Sequence, residues 1–74
     1  MIDLAEIRRA AGRTQVELAT ALGTSQGQIS RIERQSDFLL STLRAYITAL
    51  GVHASLVVTV CGTTLEYELT EVRQ

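Results

Sequence analysis

Gln15-Val16-Glu17-Leu18-Ala19-Thr20-Ala21-Leu22-Gly23-Thr24-Ser25-Gln26-Gly27-Gln28-Ile29-Ser30-Arg31-Ile32-Glu33-Arg34 is the stretch on which the fold turns. Leu18, Ala19 and Leu22 recur at helical spacing, Ile29 and Ile32 do so again, and Gly23 breaks the pattern between them. Each half carries its own start signal. Thr14 has Glu17 three residues on, and Ser25 has Gln28, the two ends of a capping box in each case. Two short helices joined by so tight a turn must cross closely, which calls for a small residue at the crossing and a positive φ in the turn. Ala19 and Gly23 supply them, and Leu18, Ile29 and Ile32 fill the inner angle.

This arrangement leaves Gln26, Gly27, Ser30, Arg31 and Arg34 on the outer face of the later helix, with Gln28 at its shoulder. The face is rich in hydrogen-bond donors and poor in the apolar surface a protein interface wants. On periodicity alone it suits equally the solvated side of an ordinary helical hairpin and a helix that reads nucleic acid.

Upstream, Asp3 and Glu6 form another capping box, Ile2 can staple onto Ile7, and Leu4, Ile7 and Ala11 make one apolar stripe that Gly12 ends. Downstream, Gln35-Ser36-Asp37 reads as a loop. Ser41 is the expected cap of a fourth helix with Leu43, Ile47 and Leu50 on one side and Gly51 as its stop. Beyond Gly51 the period changes from helical to 2. Val52, Ala54, Leu56, Val58 and Val60 alternate with His53, Ser55, Val57, Thr59 and Cys61, the pattern of a half-buried strand. A second alternation sets Leu65, Tyr67 and Leu69 against Glu66, Glu68 and Thr70. A two-residue turn at Gly62-Thr63 would pair Val60 with Leu65, Val58 with Tyr67 and Leu56 with Leu69 on one face, and Thr59 with Glu66 and Val57 with Glu68 on the other. The expected fold is therefore α+β: four to five helices over residues 1–51, then a β-hairpin extension over 52–74.

Composition narrows the function classes. With 74 residues the chain is one small domain whose core is marginal, since a chain of this size buries only roughly 60% of its unfolded surface, and this points to a partner subunit. No run of residues approaches the roughly 18 apolar residues of a membrane span. The acidic start at Asp3 and Glu6 and the single Cys point to the cytoplasm. The net charge is −1, but residues 8 to 34 carry five Arg against Glu17 and Glu33, so the middle third is basic. The chain has no Lys, so every cationic side chain is a guanidinium, whose planar fork suits phosphate and guanine edges. Catalytic chemistry is poorly supplied: His53 and Cys61, one of each, lie eight positions apart on one expected strand, about 26 Å at ~3.3 Å per residue. No cysteine or histidine pair has metal-ligand spacing and no phosphate-cradling glycine loop is present, so neither an enzyme nor a metal or other cofactor is expected.

Thr14-Gln15-Val16-Glu17-Leu18-Ala19, Leu22-Gly23-Thr24-Ser25-Gln26 and Ile29-Ser30-Arg31-Ile32-Glu33 together resemble the phage-repressor (Cro/C1, or XRE) helix-turn-helix family over residues 4 to 50. The segment Leu40-Ser41-Thr42-Leu43-Arg44-Ala45-Tyr46 through Ala49-Leu50-Gly51, followed by a β segment, resembles the HigA- and HipB-type antitoxins of bacterial toxin-antitoxin pairs. The first resemblance implies operator binding as a homodimer with the third helix in the major groove of double-stranded DNA. The second implies autorepression and neutralisation of a toxin protein. Carried over by position, Gln26 resembles a glutamine that reads an adenine edge, Arg31 falls at a base-reading position, and Gln28 and Ser30 share that face. Gln15 resembles a phosphate-binding glutamine, with Arg8, Thr14, Thr24, Ser25 and Arg34 as further phosphate contacts. Arg8 and Glu33 match an ion pair tying the first helix to the third. Two departures stand out: Gly27 occupies a position often used for base contact, and Gln35 stands where the family commonly has a helix-ending Gly.

The leading expectation is a DNA-binding repressor, the antitoxin of a toxin-antitoxin operon. The alternatives are a protein-interaction module that only caps a toxin, and a phage or host regulator with no toxin. An isolated hairpin is marginal in water, so Leu56, Val58, Val60, Leu65, Tyr67 and Leu69 are expected to make the dimer.

Overall fold

The computed structural model describes residues 2–70. Met1 and the end of the expected 52–74 extension, Arg73 included, lie outside the described residues. Four helices, α1 (Leu4–Ala10), α2 (Gln15–Leu22), α3 (Gln26–Arg34) and α4 (Leu40–Ala49), precede two strands, β1 (Ser55–Val60) and β2 (Thr63–Glu68). The helix count is thus four among the described residues, and the α+β class holds.

The helix starts follow the chemistry of their caps. Asp3, Thr14 and Ser25 each accept a bond from the backbone N–H three residues on. The reciprocal bond of the capping box, from the Thr14 N–H to the Glu17 carboxylate at 2.8 Å, closes at α2. Gly23 ends α2 at φ 69°, a left-handed conformation that a side chain would resist, and the Thr24 N–H reaches back to the Ala19 carbonyl at 2.9 Å. α3 ends differently. Gln35 leaves in an extended conformation, φ −75° and ψ 138°, so its exit needs no glycine. α4 corrects the expected start: it begins at Leu40 with Leu39 as N-cap and no side-chain cap, while Ser41 lies inside the first turn. The earlier turn is closed by the Leu43 N–H, which donates to the Leu39 carbonyl at 3.1 Å, and Leu43, Tyr46, Ile47 and Leu50 together face the core.

That core is Leu4, Leu18, Ala19, Ile29, Leu43, Tyr46, Ile47 and Leu50, with Ile7, Ala11, Leu22, Ile32 and Phe38 packed around it. α2 lies against both α3 and α4, and buried Ala19 is the small residue that permits the close approach. Tyr46, fully buried at 0% exposure, is a core member that the aliphatic pattern of α4 does not single out.

The hairpin corrects two expectations. Its strands pair Val60 with Thr63, Val58 with Leu65 and Leu56 with Tyr67, two residues shorter than the register drawn from a Gly62-Thr63 turn. Cys61 (φ 49°) and Gly62 (φ 82°) form the turn, both left-handed as a type I′ turn requires, and β-branched Thr63 is spent in the strand instead. A shift of two leaves every side chain on its expected face, so Leu56, Val58, Val60, Leu65 and Tyr67 still share one side. The second correction concerns burial. Val52 and His53 precede the strand, and β1 is not half-buried: beyond Ser55 each of its residues is exposed, as is all of β2. The hairpin projects from the helices, and only its base is anchored. Ala54 and Leu69 pack on the core, so Leu69 belongs to the chain's own interior rather than to the open face. The Ala54 N–H donates to the Thr70 hydroxyl at 3.2 Å, the Leu69 N–H donates to the Ala54 carbonyl at 3.0 Å, and His53 Nε2 lies 2.7 Å from the Glu68 carboxylate.

The left-handed Cys61 gives a direct check on the turn, since a non-glycine residue there costs roughly 1–2 kcal/mol and Asn bears it best. Cys61→Asn is expected to stabilise the chain by about 0.5–1 kcal/mol in thermal melts, whereas β-branched Cys61→Val destabilises it by about 1 kcal/mol. Equal melting of the two variants would mean the turn lies elsewhere.

Candidate nucleic-acid interface

α3 carries its arginine and amide side chains outward because Ile29 and Ile32 take its inner face. Gln26, Gln28, Arg31 and Arg34 are exposed and Ser30 is half-buried, all on one short helix whose only buried residue is Ile29. Gly27 adds no side chain to the face, and a Cβ there would meet only the Ser25 hydroxyl at 3.9 Å. Thr24 and Ser25 stand exposed in the turn before it, Ser25 already bonded to the Gln28 N–H. Gln28 leans toward α4, where it borders an open groove with Ile32, Phe38 and Thr42.

The N-terminus of α2 lies beside the first turn of α3. Between them and the end of α1 is an open cleft of about 480 Å³, lined by Arg8, Arg9, Gly12, Arg13, Thr14, Gln15, Val16 and Gln26. Arg9 and Arg13 are exposed there. Helix N-termini carry partial positive charge and free N–H groups, so guanidinium groups around one make a surface suited to a phosphate. Arg9 and Arg13 were missed by reading the sequence. The usable signal was position: Arg13 directly precedes the Thr14 cap, and Arg9 lies one turn before it.

Arg8 behaves otherwise. Its Nε donates to Glu33 Oε2 at 2.8 Å, one terminal nitrogen donates to Glu33 Oε1 at 3.3 Å, and the other donates to the Arg13 carbonyl at 2.9 Å. The two side chains are 11% and 5% exposed, so the pair is buried. With all three nitrogens engaged inside the chain, Arg8 offers little to a phosphate, and that expectation is corrected: Arg8 is structural.

Glu33 collects more than this pair. The Tyr46 hydroxyl donates to Oε2 at 2.6 Å and also reaches the Leu4 carbonyl at 3.1 Å, while Gln15 Nε2 donates to Oε1 at 2.9 Å. Gln15 Oε1 in turn accepts from Gln26 Nε2 at 3.2 Å. Burial pushes the Glu33 carboxyl up, but the bonds from Arg8, Tyr46 and Gln15 outweigh it and hold the group below the ordinary glutamate range. The Arg8 guanidinium is raised by its bond to Glu33, against the opposing effect of burial. Burial, and then the Glu33 carboxylate, push the Tyr46 phenol well above its usual value. No buried side-chain polar atom lacks a partner among the described residues.

Other chemistry is sparse. No group of three metal-ligating side chains occurs among the described residues, and no described helix is long and apolar enough to cross a membrane. Cys61 is a free, exposed thiol at the hairpin tip, far along the chain from His53, whose partners are Glu68 and Thr70.

Two helices crossing at a glycine turn, the later of them turning its donors outward, define a helix-turn-helix protein. The chain belongs to the helix-turn-helix family, which it matches over residues 4–57, and to its HigA-like, XRE-type members. The family is not an enzymatic one. A relative from Mycobacterium tuberculosis (strain ATCC 25618 / H37Rv) that bears the antitoxin name HigA3 is 44% identical over 57 residues, 73% of this chain. The chain spans about half of that relative, 52% of its length. Among solved structures, a HigA antitoxin described by induced DNA bending and unique dimerization superposes with a TM-score of 0.78 at 38% identity, over 89% of this chain and 92% of that one. A DNA-bound antitoxin HigA3 superposes with a TM-score of 0.75, again at 38% identity, over 100% of this chain and 96% of that one.

The Glu33 network makes stability depend on pH in a stated direction. A carboxyl depressed on folding contributes fully above its unfolded value of about 4.3 and loses that contribution as pH falls through its lower folded value. A phenol raised on folding contributes fully below about 10 and loses its contribution as pH climbs past that. Melting temperature is thus expected to hold a plateau between about pH 5 and 9 and to fall on either side. Glu33→Ala strands a buried guanidinium and is expected to cost about 3 kcal/mol at neutral pH. Glu33→Gln should melt lower at neutral pH yet change less than the native protein between pH 6 and 3. An acid limb of unchanged depth would exclude Glu33 as its source.

Proposed function

We propose that this chain is a sequence-specific DNA-binding repressor and the antitoxin of a toxin-antitoxin operon, acting in the cytoplasm by occupying its own promoter as a homodimer and neutralising a toxin protein. The observation that carries the reading is the juxtaposition of Gln26, in the first turn of α3, with Gln15 and the arginine-lined cleft at the start of α2. A helix laid in the major groove presents its first turn to base edges, while the neighbouring helix N-terminus meets the backbone. Likeness to a DNA-bound HigA3 structure over the whole chain supports the same reading.

The roles divide accordingly. Gln26 and Arg31 read bases, the glutamine by donating to adenine N7 while accepting from N6, the arginine by its fork on guanine O6 and N7. Ser30 and Gln28 extend that face. Thr14, Gln15, Thr24, Ser25 and Arg34 position the backbone, joined by Arg9 and Arg13. Residues 1–51 do this work, and the 52–74 extension holds two copies together. The uncovered face of Leu56, Val58, Val60, Leu65 and Tyr67, from 36% to 56% exposed, supports that assignment, since one chain leaves it wet. Pairing also serves recognition, because two α3 helices must reach half-sites about 34 Å apart. The same uncovered face would suit a module that only caps a toxin, the reading to which failure on DNA would return.

A gel-shift assay on the DNA upstream of the gene tests the reading, with retarded duplex expected at nanomolar protein and none on a scrambled duplex. Gln26→Ala and Arg31→Ala are each expected to cost about 1–3 kcal/mol on that site and far less on random DNA at the same salt. Equal losses on both DNAs would remove α3 as the reader. Val58→Lys puts charge in the open apolar face and is expected to yield a monomer in sedimentation, and a dimer that survived it would place the interface elsewhere.

A further inference from the structure

The network around Glu33 does more than hold helices together, because it has a direction. An ionised carboxylate only accepts hydrogen bonds. Whatever end of Gln15 faces Glu33 Oε1 must therefore be the amide nitrogen, found there at 2.9 Å. The sense of the Gln15 amide is then fixed, and its oxygen is what remains for Gln26. An amide oxygen also only accepts, so Gln26 must answer with its nitrogen, found at 3.2 Å. One of its two N–H bonds is spent on Gln15, leaving one donor and the carbonyl oxygen for a ligand.

We propose that Glu33 is a positioning residue for base recognition: through Gln15 it fixes which end of the Gln26 amide faces the groove, and so sets adenine over guanine at the base that Gln26 meets. This rests on the reading of Gln26 as a base contact. Adenine presents N7 as acceptor and the N6 amine as donor, which match the one free N–H and the oxygen of a Gln26 held in this sense. Guanine presents two acceptors, N7 and O6, and would need both N–H bonds free.

Reversing the first link should reverse the rest. In Glu33→Gln the new amide has one oxygen and one nitrogen where two oxygens stood. Its oxygen takes the side of Arg8 Nε and the Tyr46 hydroxyl, which both donate at Oε2. Its nitrogen then stands where Oε1 stood, so the 3.3 Å bond from the Arg8 terminal nitrogen is given up; it faces Gln15, which turns to accept, and Gln26 turns in its turn to present its oxygen inward. Both Gln26 N–H bonds become available to the groove, the pattern guanine suits. The bonds to Arg8 and Tyr46 anchor this sense from the core side, where Tyr46 is fully buried, so the choice is made in the interior and read on the surface.

The probe is a randomised double-stranded DNA library, from which the native protein and each variant select sites, followed by competition binding on duplexes that carry A·T or G·C at the position Gln26→Ala ceases to select. The native protein is expected to prefer A·T there by about tenfold, the size of one good bidentate contact. Glu33→Gln is expected to lose that preference or favour G·C, with other positions unchanged. Tyr46→Phe also weakens the core but leaves the carboxylate facing Gln15, so it should keep the A·T preference, separating positioning from stability. If Glu33→Gln does not fold, Gln15→Met cuts the relay at a half-buried position and should shrink the ratio even where overall affinity falls as well. Retention of the tenfold preference in Glu33→Gln or Gln15→Met, with Gln26→Ala abolishing it, would overturn the relay alone. No site selected by the native protein, or no position lost in Gln26→Ala, would overturn the base-reading role of Gln26 and the relay with it.

Discussion

One buried carboxylate joins the four helices. Glu33 sits near the end of α3 and accepts from Arg8 on α1, Gln15 on α2 and Tyr46 on α4, so the other three described helices each have a side chain on its two oxygens. Burying a charge is costly, and a buried ion pair by itself is weak evidence of stability. Here the charge is repaid by complete pairing: Arg8 matches it with a fork, and the phenol and amide take the remaining positions. In a core of only eight buried apolar residues, such a point also restricts how the helices can be arranged, which hydrophobic contact alone does not. The same group connects outward through Gln15 to Gln26, so the hydrogen bonds that tie the helices together also reach an exposed amide on the outer face of α3.

The hairpin obeys a different constraint. Its register, turn and apolar alternation specify a well-formed ribbon, yet the described residues lay nothing against it. Only the base is held, where Leu69 and Ala54 enter the core and Thr70 is buried beneath the Ala54 N–H. A monomer is thus complete at its helices and incomplete at its strands. The open strand face and the outward face of α3 therefore belong to separate parts of the molecule.

The helices were legible because their signals are local. Asp3, Thr14 and Ser25 mark starts, Gly12, Gly23 and Gly51 mark stops, and the apolar period between them is unbroken. Ser41 misled because the first turn of α4 closes on the Leu39 backbone carbonyl without a side-chain cap. The hairpin faces were legible and the register was not: alternation is blind to a shift of two, and both Gly62-Thr63 and Cys61-Gly62 are workable turns. Of the interface, the amides and arginines of α3 could be found from the helical period, and the Arg8–Glu33 pair from resemblance. The cleft arginines Arg9 and Arg13 had a signal in their place just before the Thr14 cap, but the anchoring role of Tyr46 depends on how the helices meet, information that no window of sequence contains.

Whether α3, held by Glu33, is the surface that meets DNA is open to direct measurement. Side-chain amide and backbone NMR resonances followed while the protein is titrated with a duplex from upstream of its gene would measure this. The largest shifts are predicted at Gln26, Ser30, Arg31 and the Gln15 amide, with the hairpin tip at Cys61 and Gly62 unmoved. Shifts centred on the hairpin, with Gln15 and Gln26 unchanged at saturation, would contradict it.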